Sequence, residues 1–461
     1  MFNNLILNVD SYKASHFLQY PAGAELVSSY VEARGGQFKE SLFFGLQALI
    51  KEYLLHPITR ADIDEAEALL LAHGEPFNRA GWEYILTNYG GLLPIHISAL
   101  PEGAVVPTKN ALVQIHNTDP HVFWLTSYLE TSLLRAIWYP TTVATVSWQV
   151  KQIIADYLNQ TCDHPAPELP FKLHDFGSRG TSSLESAALG GMAHLVNFKG
   201  TDTVSALLAA RRYYDAEMAG FSIPAAEHST MTSWGREHEA DAYANMVQQF
   251  AKPGKLVAVV SDSYDIYHAV SEIWGKQLRE QVLQSGGTVV IRPDSGEPAT
   301  VVPEVLERLY EQFGGTINSK DFKVLHPAVR VIQGDGVDLQ SIGGILANIK
   351  SAGFSTENVA FGMGAGLLQK VNRDTLSFAM KASAIRIQGR WQDIYKQPIT
   401  DPGKNSKRGR LAVIRTSDGI KTIREDDLKG QDNLLRPVFN NGELLIDDSF
   451  ETICARSEQR F

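Results

Sequence analysis

From about residue 170 to about residue 370, short apolar runs alternate with polar clusters and helical patterns. The runs are rich in β-branched residues and almost wholly apolar, which is typical of strands buried in a parallel sheet. The seven runs are Phe171–Leu173, Leu195–Phe198, Phe221–Pro224, Leu256–Val260, Thr288–Ile291, Val329–Ile332 and Val359–Phe361. Apolar residues recur at helical spacing in Thr232–Phe250, Ile266–Leu283, Val302–Phe313 and Leu339–Ala352. This serial strand–helix pattern predicts an α/β barrel or a doubly wound sheet.

The polar clusters favour the barrel. Parallel strands bring their carboxyl ends to one face, where ligands bind. In a doubly wound sheet only the strands beside the switch point need polar clusters, whereas here a polar or glycine-containing cluster follows every run. We therefore expect an irregular α/β barrel of parallel strands, with an additional α+β domain built mainly from the N-terminal region.

The chain outside this region has a different pattern. Apolar residues recur at helical spacing in Ser41–His56 and Ile63–His73, whereas Leu93–Ala99 and Ala104–Ile115 have the pattern of short strands. A basic loop, Lys404–Arg410, follows much later. We expect an N-terminal α+β domain over residues 1–150, a catalytic barrel over residues 151–390 and a C-terminal segment over residues 391–461. The C-terminal segment is expected to pack back on the N-terminal domain.

Composition excludes several classes of protein. The 461 residues carry 42 Lys and Arg against 52 Asp and Glu, a formal net charge of −10, which argues against a protein that binds nucleic acid or a membrane. The two cysteines, Cys162 and Cys454, are too few for a disulfide framework or a zinc site. The N-terminus lacks the features of a signal peptide, and no apolar stretch is long enough to span a bilayer. We expect a cytoplasmic protein.

The polar clusters combine cations and carboxylates. Arginine with bare glycine backbone suits phosphate, and aspartates at strand ends suit ribose hydroxyls or Mg²⁺. The candidate residues are Arg179, Asp202, Glu227, His228, Asp262, Arg292, Asp294, Asp335 and Arg373. Together they predict a site for a phosphorylated sugar carrying a diphosphate.

Each signal also has a plainer interpretation. Asp202 and Asp262 could cap the helices that follow them. Gly362–Gly366 could be a tight turn, since it lacks the dinucleotide-binding spacing. Arg373 could form a surface ion pair with Asp374, and the basic loop could be solvated.

The clusters, taken together and in order, resemble those of the nicotinamide phosphoribosyltransferases, which are type II phosphoribosyltransferases related to the nicotinate enzymes. The resemblance covers essentially the whole chain. The motifs that carry it are Asp10–Lys13, His174–Gly180, Asn197–Thr203, Pro224–Thr230, Val260–Asp265, Ile291–Gly296, Ile332–Asp338, Leu367–Lys370 and the Lys404–Arg410 loop.

The resemblance implies the reaction of nicotinamide with 5-phosphoribosyl 1-diphosphate to give nicotinamide mononucleotide and diphosphate, as in NAD salvage. It implies that Phe176 stacks on one face of the pyridine ring, and that Tyr12 from the partner subunit of a homodimer stacks on the other. Asp202 accepts a hydrogen bond from the carboxamide. Arg292 lies at the nicotinamide site and also contacts the phosphate groups.

The resemblance also implies how the phosphoribosyl diphosphate is held. Arg179 and Arg292 bind the phosphate groups, while Asp294 and Asp335 hold the ribose. The nucleotide phosphate is received by Gly334, Gly364, Ala365 and Arg373. The mobile basic residues Lys396, Lys404 and Lys407 face the diphosphate. Mg²⁺ is expected to come mainly with the substrate diphosphate, without a dedicated set of protein ligands.

His228 resembles the histidine that is phosphorylated by ATP in that family. Asp262 is expected to orient its imidazole, with Glu227 adjacent, so that ATP acts as a stimulating co-substrate. Two departures from the family pattern are Ser178, where we associate a bulkier aromatic residue with the animal enzymes, and Ala365, which replaces a glycine. A backbone N–H still serves at Ala365 if the position does not require positive φ.

Two other functions fit parts of this pattern. Nicotinate phosphoribosyltransferase shares the architecture, but the carboxylate of Asp202 would repel that of nicotinate at close range. A catalytically silent pyridine binder would need Phe176 and Tyr12, but neither the diphosphate residues nor the pair of His228 and Asp262. An assay of diphosphate release with each base separates these functions.

Overall fold

The computed structural model describes residues 4–400, 405–417 and 419–459, and the chain divides into two compact units. The first comprises Met1–Thr145, Ala209–Glu217 and Asn372–Phe461, and the second comprises Val146–Leu208 and Met218–Val371. Residues 372–390, which the sequence analysis assigned to the barrel domain, therefore belong to the first unit.

The first unit is built on a seven-stranded sheet whose neighbouring strands are all antiparallel. In spatial order the strands are Arg390–Asp393, Phe378–Ile387, Ala24–Ala33, Ala111–Asn117, Ile95–Ala99, Arg436–Asn440 and Glu443–Leu444. Two short ladders pair Glu40–Leu42 with Val105–Pro107 and Leu411–Thr416 with Gly419–Arg424. The N-terminal region and the C-terminal segment thus share one sheet.

Helices accompany this sheet. The α-helices are Leu46–Leu49, Arg60–His73, Arg79–Tyr89, Leu125–Tyr128 and Phe450–Ser457, and Glu130–Thr161 belongs to this unit up to Thr145. The helix predicted at Ile63–His73 is confirmed as Arg60–His73, because a capping box between Thr59 and Asp62 starts it and the left-handed Gly74 ends it. The helical pattern at Ser41–His56 is only partly correct, since a short strand precedes its α- and π-helical turns.

The second unit contains six parallel strands, numbered here β1 to β6 in chain order. They are β1 (Leu173–Asp175), β2 (Gly200–Thr201), β3 (Leu256–Val260), β4 (Thr288–Arg292), β5 (Val329–Gln333) and β6 (Val359–Met363). Their spatial order is β2-β1-β6-β5-β4-β3, and every pairing between neighbours is parallel.

The segment 221–226 closes this sheet into a barrel. At one edge the Phe221 amide donates to the Lys199 carbonyl at 2.7 Å, and the Thr201 amide donates to the Phe221 carbonyl at 3.0 Å. At the other edge the Ala226 amide donates to the Ala258 carbonyl at 2.9 Å. Both edges of the sheet are therefore joined by one segment, which lies between β2 and β3 in sequence and in space. The barrel prediction is confirmed.

Helices follow the strands in the expected serial order. The α-helices of this unit are Pro165–Glu168, Leu184–Leu195, His228–Thr232, Glu239–Phe250, Ile266–His268, Arg279–Ser285, Pro298–Phe313, Ile342–Ser351 and Ala365–Leu368, with a π-helix at Ala269–Gln277. Helix Val204–Tyr214 belongs to this unit up to Leu208. A hairpin of Gly315–Ile317 and Lys323–Leu325 completes the unit. None of the helices in the described ranges is long and apolar enough to cross a membrane.

The barrel core follows from strands that are apolar on both faces. Ala258, Val290 and Ile332 form a buried cluster, against which Phe176, Ile223 and Ala360 pack. The alternate residues of the same strands, such as Val259 and Val331, are also fully buried. A strand covered on both sides buries nearly every side chain, which explains its uninterrupted apolar pattern.

One predicted strand is wrong. Leu195 ends helix Leu184–Leu195, and the strand at this place is β2, which begins only at Gly200. Val196 and Phe198 are buried without belonging to a strand. A buried last turn of a helix is as apolar as a buried strand, so periodicity alone cannot distinguish the two.

Candidate active site

The carboxyl ends of the parallel strands gather most of the predicted site residues in the second unit. His174 and Phe176 come from the end of β1, Asp202 follows β2, and His228 follows the closing segment. The site residues after the later strands are Asp262, Arg292, Asp294, Gly334, Asp335, Gly364 and Ala365. Parallel strands place these ends at the same rim of the barrel.

The ring of Phe176 packs closely against glycine backbone. Its amide donates to the Met363 carbonyl at 3.0 Å, which fixes the turn after β1 beside β6. A Cβ atom on Gly362 would lie 2.0 Å from Phe176 Cε2, and one on Gly334 would lie 3.2 Å from it. These glycines therefore allow the ring to lie against β5 and β6. The predicted pyridine-stacking residue is half-buried above the apolar core.

Asp202 is held by side chains on both sides of it in the barrel wall. Its Oδ1 atom accepts a hydrogen bond from His174 Nε2 at 2.9 Å and one from Ser222 Oγ at 2.6 Å. Burial opposes ionisation, but hydrogen bonds from His174 and Ser222 and the charge of Arg292 lower the pKa of Asp202 below its ordinary value. Asp202 is therefore an ionised hydrogen-bond acceptor at neutral pH. Neither His174 nor Ser222 was predicted from the sequence as a partner of Asp202.

His228 and Asp262 form an oriented pair. His228 Nε2 lies 2.9 Å from Asp262 Oδ1, and the amide of Asp294 donates to Asp262 Oδ2 at 3.0 Å. Because a carboxylate only accepts, Nε2 carries the proton and Nδ1 is the nitrogen with a free lone pair. The helix that follows is capped by Asp265, which accepts from the amides of Tyr267 and His268, so Asp262 is not the capping residue.

Asp294 links this pair to a cation. Its Oδ2 atom lies 4.0 Å from His228 Nδ1 and 3.5 Å from Arg292 Nη2. Burial raises the pKa of Asp294, as do the charges of Asp262 and Asp335, against the opposing charges of Arg292 and His228. The structure thus brings three predicted carboxylates, one arginine and one histidine into electrostatic contact.

Glu227 has contacts of a different kind. Its carboxylate accepts a hydrogen bond from the hydroxyl of Ser229, and its amide donates to Thr230 Oγ1 at 3.3 Å. These contacts belong to the first turn of helix His228–Thr232. They support a role in holding the start of the helix that carries His228, while the catalytic role of Glu227 stays a prediction.

The glycine-rich turns after β1 and β6 lie against each other. A Cβ on Gly180 would lie 3.1 Å from the Cβ of Ala365, and Arg179 is exposed in the same turn. Ala365 begins helix Ala365–Leu368 and is not among the residues with positive φ. The alanine that replaces a glycine at this position therefore carries no backbone strain.

Five predicted residues belong to the first unit. Among them, the ammonium of Lys407 pairs with the buried carboxylate of Glu32. Tyr12 is 55% exposed. Arg373 is exposed and lies 3.4 Å from Asp374, so the surface ion pair left open above does form. The amide of Lys396 donates to Ser406 Oγ at 2.8 Å. Lys404 lies outside the described residues.

The first unit also contains a basic cluster around Lys381, a residue that was not predicted from the sequence. Burial lowers the pKa of Lys381, and the nearby charges of Arg34, Lys396 and Lys13 lower it further, against the opposing charge of Glu130. Lys381 interrupts the otherwise uncharged stretch from Phe378 to Ile385 in its strand. A lysine in the middle of an otherwise uncharged strand is the feature of the sequence that could have indicated this cluster.

The described part of the chain contains no dedicated metal centre. In residues 4–400, 405–417 and 419–459, no group of three or more histidine, cysteine, aspartate or glutamate side chains is arranged to hold a metal ion. Asp262 and Asp294 present carboxylate oxygens, which suit Mg²⁺, but they are engaged with His228, Arg292 and each other.

Comparisons with known proteins identify relatives of this chain. A sequence model of the nicotinate phosphoribosyltransferase family matches residues 171–443, and a model of the nicotinamide phosphoribosyltransferase N-terminal domain matches residues 4–97. A nicotinamide phosphoribosyltransferase of Xanthomonas campestris pv. campestris is 58% identical over 99% of this chain and 98% of its own length. One of Acinetobacter baylyi is 33% identical over 98% of this chain and 96% of its own length.

Solved structures show the same fold at low identity. The nicotinate-nucleotide pyrophosphorylase of Pyrococcus furiosus has a TM-score of 0.62 at 15% identity, covering 99% of this chain and 96% of its own. Human nicotinic acid phosphoribosyltransferase has a TM-score of 0.60 at 17% identity, and the match covers 97% of this chain and 92% of the human chain.

Proposed function

The chain belongs to the nicotinate phosphoribosyltransferase family and is a pentosyltransferase, and we propose that it transfers the phosphoribosyl group of 5-phosphoribosyl 1-diphosphate to nicotinamide. The products are nicotinamide mononucleotide and diphosphate, and the place of the reaction is NAD salvage in the cytoplasm. The observation that carries the choice of base is the ionised, doubly hydrogen-bonded carboxylate of Asp202.

Asp202 discriminates between the two pyridine bases. A carboxylate accepts a hydrogen bond from a carboxamide NH₂ group, whereas it repels the carboxylate of nicotinate in a partly buried site. The nicotinamide ring stacks on Phe176, whose face is held in place by the backbone of β5 and β6. Arg292, whose charge reaches Asp202, lies between the base and the phosphoribosyl group.

The phosphoribosyl group occupies the Arg292 side of the site. Asp294 and Asp335 hold the ribose, while Arg179 and the backbone at Gly334, Gly364 and Ala365 receive phosphate. The nicotinamide nitrogen attacks the anomeric carbon as its bond to the diphosphate breaks. Positive charge then grows on the sugar and negative charge on the leaving group, so nearby carboxylates and cations stabilise the transition state. Mg²⁺ enters with the diphosphate and offsets its charge.

ATP stimulates the reaction through His228. The bond from the γ-phosphorus of ATP to its bridging oxygen breaks, a bond from phosphorus to Nδ1 of His228 forms, and ADP leaves. Asp262 holds the proton on Nε2 and stabilises the positive charge of the ring during attack. The free Nδ1 of an oriented imidazole supports this assignment.

The active assembly is a homodimer with shared sites. Tyr12, exposed on the first unit, completes the aromatic sandwich on the Phe176 of a second copy. This arrangement explains why the large aromatic side chain of Tyr12 is mostly exposed to solvent in a single copy.

A turnover assay tests the proposal. Purified protein with 5-phosphoribosyl 1-diphosphate and Mg²⁺ is expected to form nicotinamide mononucleotide and diphosphate in equal amounts from nicotinamide, and to turn over nicotinate far more slowly. Preferred turnover of nicotinate would identify a nicotinate enzyme, and tight binding of nicotinamide without turnover would identify a silent binding protein.

A further inference from the structure

Both hydrogen bonds to Asp202 fall on the same oxygen. His174 Nε2 and Ser222 Oγ reach Oδ1 at 2.9 and 2.6 Å, and among the described residues no other side chain donates a hydrogen bond to Oδ2. The carboxylate is 47% exposed, so Oδ2 remains accessible from the site. Two donors on one oxygen fix the rotation of the carboxyl group and direct the other oxygen outward.

The two donors come from opposite sides of Asp202 in the barrel wall. His174 lies on β1, and Ser222 lies on the closing segment 221–226, while β2 runs between them. The closing segment is itself fixed by the backbone hydrogen bonds of Phe221 to both neighbours of Gly200. A shift of either neighbour would therefore be transmitted to the carboxylate of Asp202.

The imidazole of His174 is also held firmly. A Cβ on Gly200 would lie 2.7 Å from His174 Nδ1, so glycine at this position makes room for the ring. The ring of Phe176 lies 5.0 Å from it, centroid to centroid, at 52°. Its side chain is only 14% exposed. The donor to Asp202 is thus packed between β2 and the proposed stacking residue.

We propose that His174 and Ser222 are positioning residues that set the preference of the site for a carboxamide over a carboxylate. The proposal rests on the function assigned above to Asp202. The two residues act through Asp202, whose free oxygen they aim at the NH₂ group of the base. A carboxylate with only one anchor rotates more freely and accepts a proton more readily, and a protonated carboxyl no longer repels nicotinate.

The charges around Asp202 give the pH dependence its sign. The groups that face it are His174 from β1, Arg292 from β4 and the uncharged Ser222, and all three favour its ionised form. Selectivity is therefore present above the pKa of Asp202 and is lost as the pH falls through it. Removal of a donor raises that pKa, so the loss of selectivity moves to higher pH.

The test compares kcat/KM for nicotinamide and nicotinate as a function of pH in matched variants. Ser222→Ala and His174→Leu each remove a hydrogen-bond donor to Asp202. Ser222→Thr and His174→Gln each keep a donor at the substituted position. Ser319→Ala is the control, because Ser319 also donates to an aspartate, Asp163 at 2.7 Å, outside the site. Each loss of a donor is expected to lower the ratio of nicotinamide to nicotinate kcat/KM about tenfold and to move its acid limb upward in pH.

The conservative variants are expected to restore most of the ratio, and Ser319→Ala is expected to leave it unchanged. A ratio and pH profile that do not change in Ser222→Ala and His174→Leu, while Asp202→Asn alters the ratio, would overturn the positioning role and leave the proposed function intact. An unchanged ratio in Asp202→Asn as well would overturn both.

Discussion

His228 Nε2 lies 2.9 Å from Asp262 Oδ1, and the other oxygen of that carboxylate accepts the backbone amide of Asp294 at 3.0 Å. Asp262 is only 4% exposed, so these contacts determine the direction in which the imidazole points. The side chain of Asp262, at the end of β3, therefore contacts both the residue that follows the closing segment and the residue that follows β4. This geometry is typical of a histidine that presents one defined nitrogen for reaction. It is not typical of a histidine that only packs in a core.

The first prediction follows from that pair. His228→Ala is expected to abolish hydrolysis of ATP and its stimulation of turnover, while some ATP-independent synthesis remains. Asp262→Asn is expected to act in the same direction, because the charged ring loses its carboxylate partner. The measurement is transfer of label from γ-labelled ATP to the protein, in a form stable to base and labile to acid.

A matched control exists for this experiment. His238 Nδ1 lies 2.8 Å from Asp241 Oδ2 in a pair that is largely exposed. His238→Ala should keep full labelling and stimulation. A wild-type protein that takes up no label, or a His228→Ala variant that keeps full stimulation by ATP, contradicts the phosphohistidine.

The second prediction concerns the shared site. Tyr12→Ala and Arg292→Ala should each be inactive alone. Mixing them with subunit exchange should restore about a quarter of wild-type activity, since half of the dimers are mixed and each has one intact site. Recovered diphosphate release is the measurement.

The control for the mixing experiment uses two residues of the second unit. Asp202→Ala and Arg292→Ala should not complement each other, because every site in their mixed dimer carries one substitution. If exchange is demonstrated and the mixture of Tyr12→Ala with Arg292→Ala stays inactive, the shared-site account is wrong.

The third prediction concerns Gly362. An alanine there would place its Cβ 2.0 Å from Phe176 Cε2, far inside the ordinary contact distance, so the ring must move by more than about 1 Å. Displacement on this scale is expected to lower kcat/KM for nicotinamide by roughly 100-fold. Steady-state kinetics at varied nicotinamide measures the effect.

Gly344 provides the comparison for Gly362. It lies inside helix Ile342–Ser351, with no atom near the position that a Cβ would take. Gly344→Ala should therefore keep full activity and gain about 1 kcal/mol of stability from helix propensity. Equal activity in the two variants would show that the position of the Phe176 ring is unimportant.

The fourth prediction concerns stability against pH. His194 is fully buried, with Ser147 Oγ at 3.0 Å from Nδ1 and the Gly200 carbonyl at 3.1 Å from Nε2. Burial lowers its pKa to about 4. The unfolded chain therefore binds a proton that the folded chain rejects between about pH 6.5 and pH 4, so stability falls as the pH falls through this window.

The size of this effect is measurable. A shift of this size corresponds to about 3 kcal/mol, since one pKa unit is worth about 1.4 kcal/mol. Tm recorded from pH 7 to pH 4 should fall more steeply in the wild type than in His194→Gln, which has no group that titrates there. Parallel curves for the two proteins would show that His194 does not carry the acid sensitivity.

The barrel and its rim were predictable because their physical signals are local. Strands buried on both faces are apolar throughout, and the ligand-facing residues follow each strand directly in sequence. His228 and Asp262 could be placed at one face for this reason. The helix end at Leu195 was mistaken for a strand because burial produces the same pattern in both.

The remaining features depend on pairings that are distant in sequence. Phe378–Ile387 pairs with Ala24–Ala33 across more than 340 residues, so local pattern could not assign it to the first unit. The convergence of His174 and Ser222 on Asp202 arises from closure of the barrel by segment 221–226. Neither spacing nor composition indicates which strand edge that segment joins.

The most direct test of the account is the base preference of wild type and Asp202→Asn. Wild type is expected to have a much higher kcat/KM for nicotinamide than for nicotinate. In Asp202→Asn the amide donates to a carboxylate where aspartate cannot, so the ratio should fall by about 10- to 200-fold, as expected for one mismatched polar contact. A wild type that prefers nicotinate, or a ratio that Asp202→Asn leaves unchanged, would contradict the account.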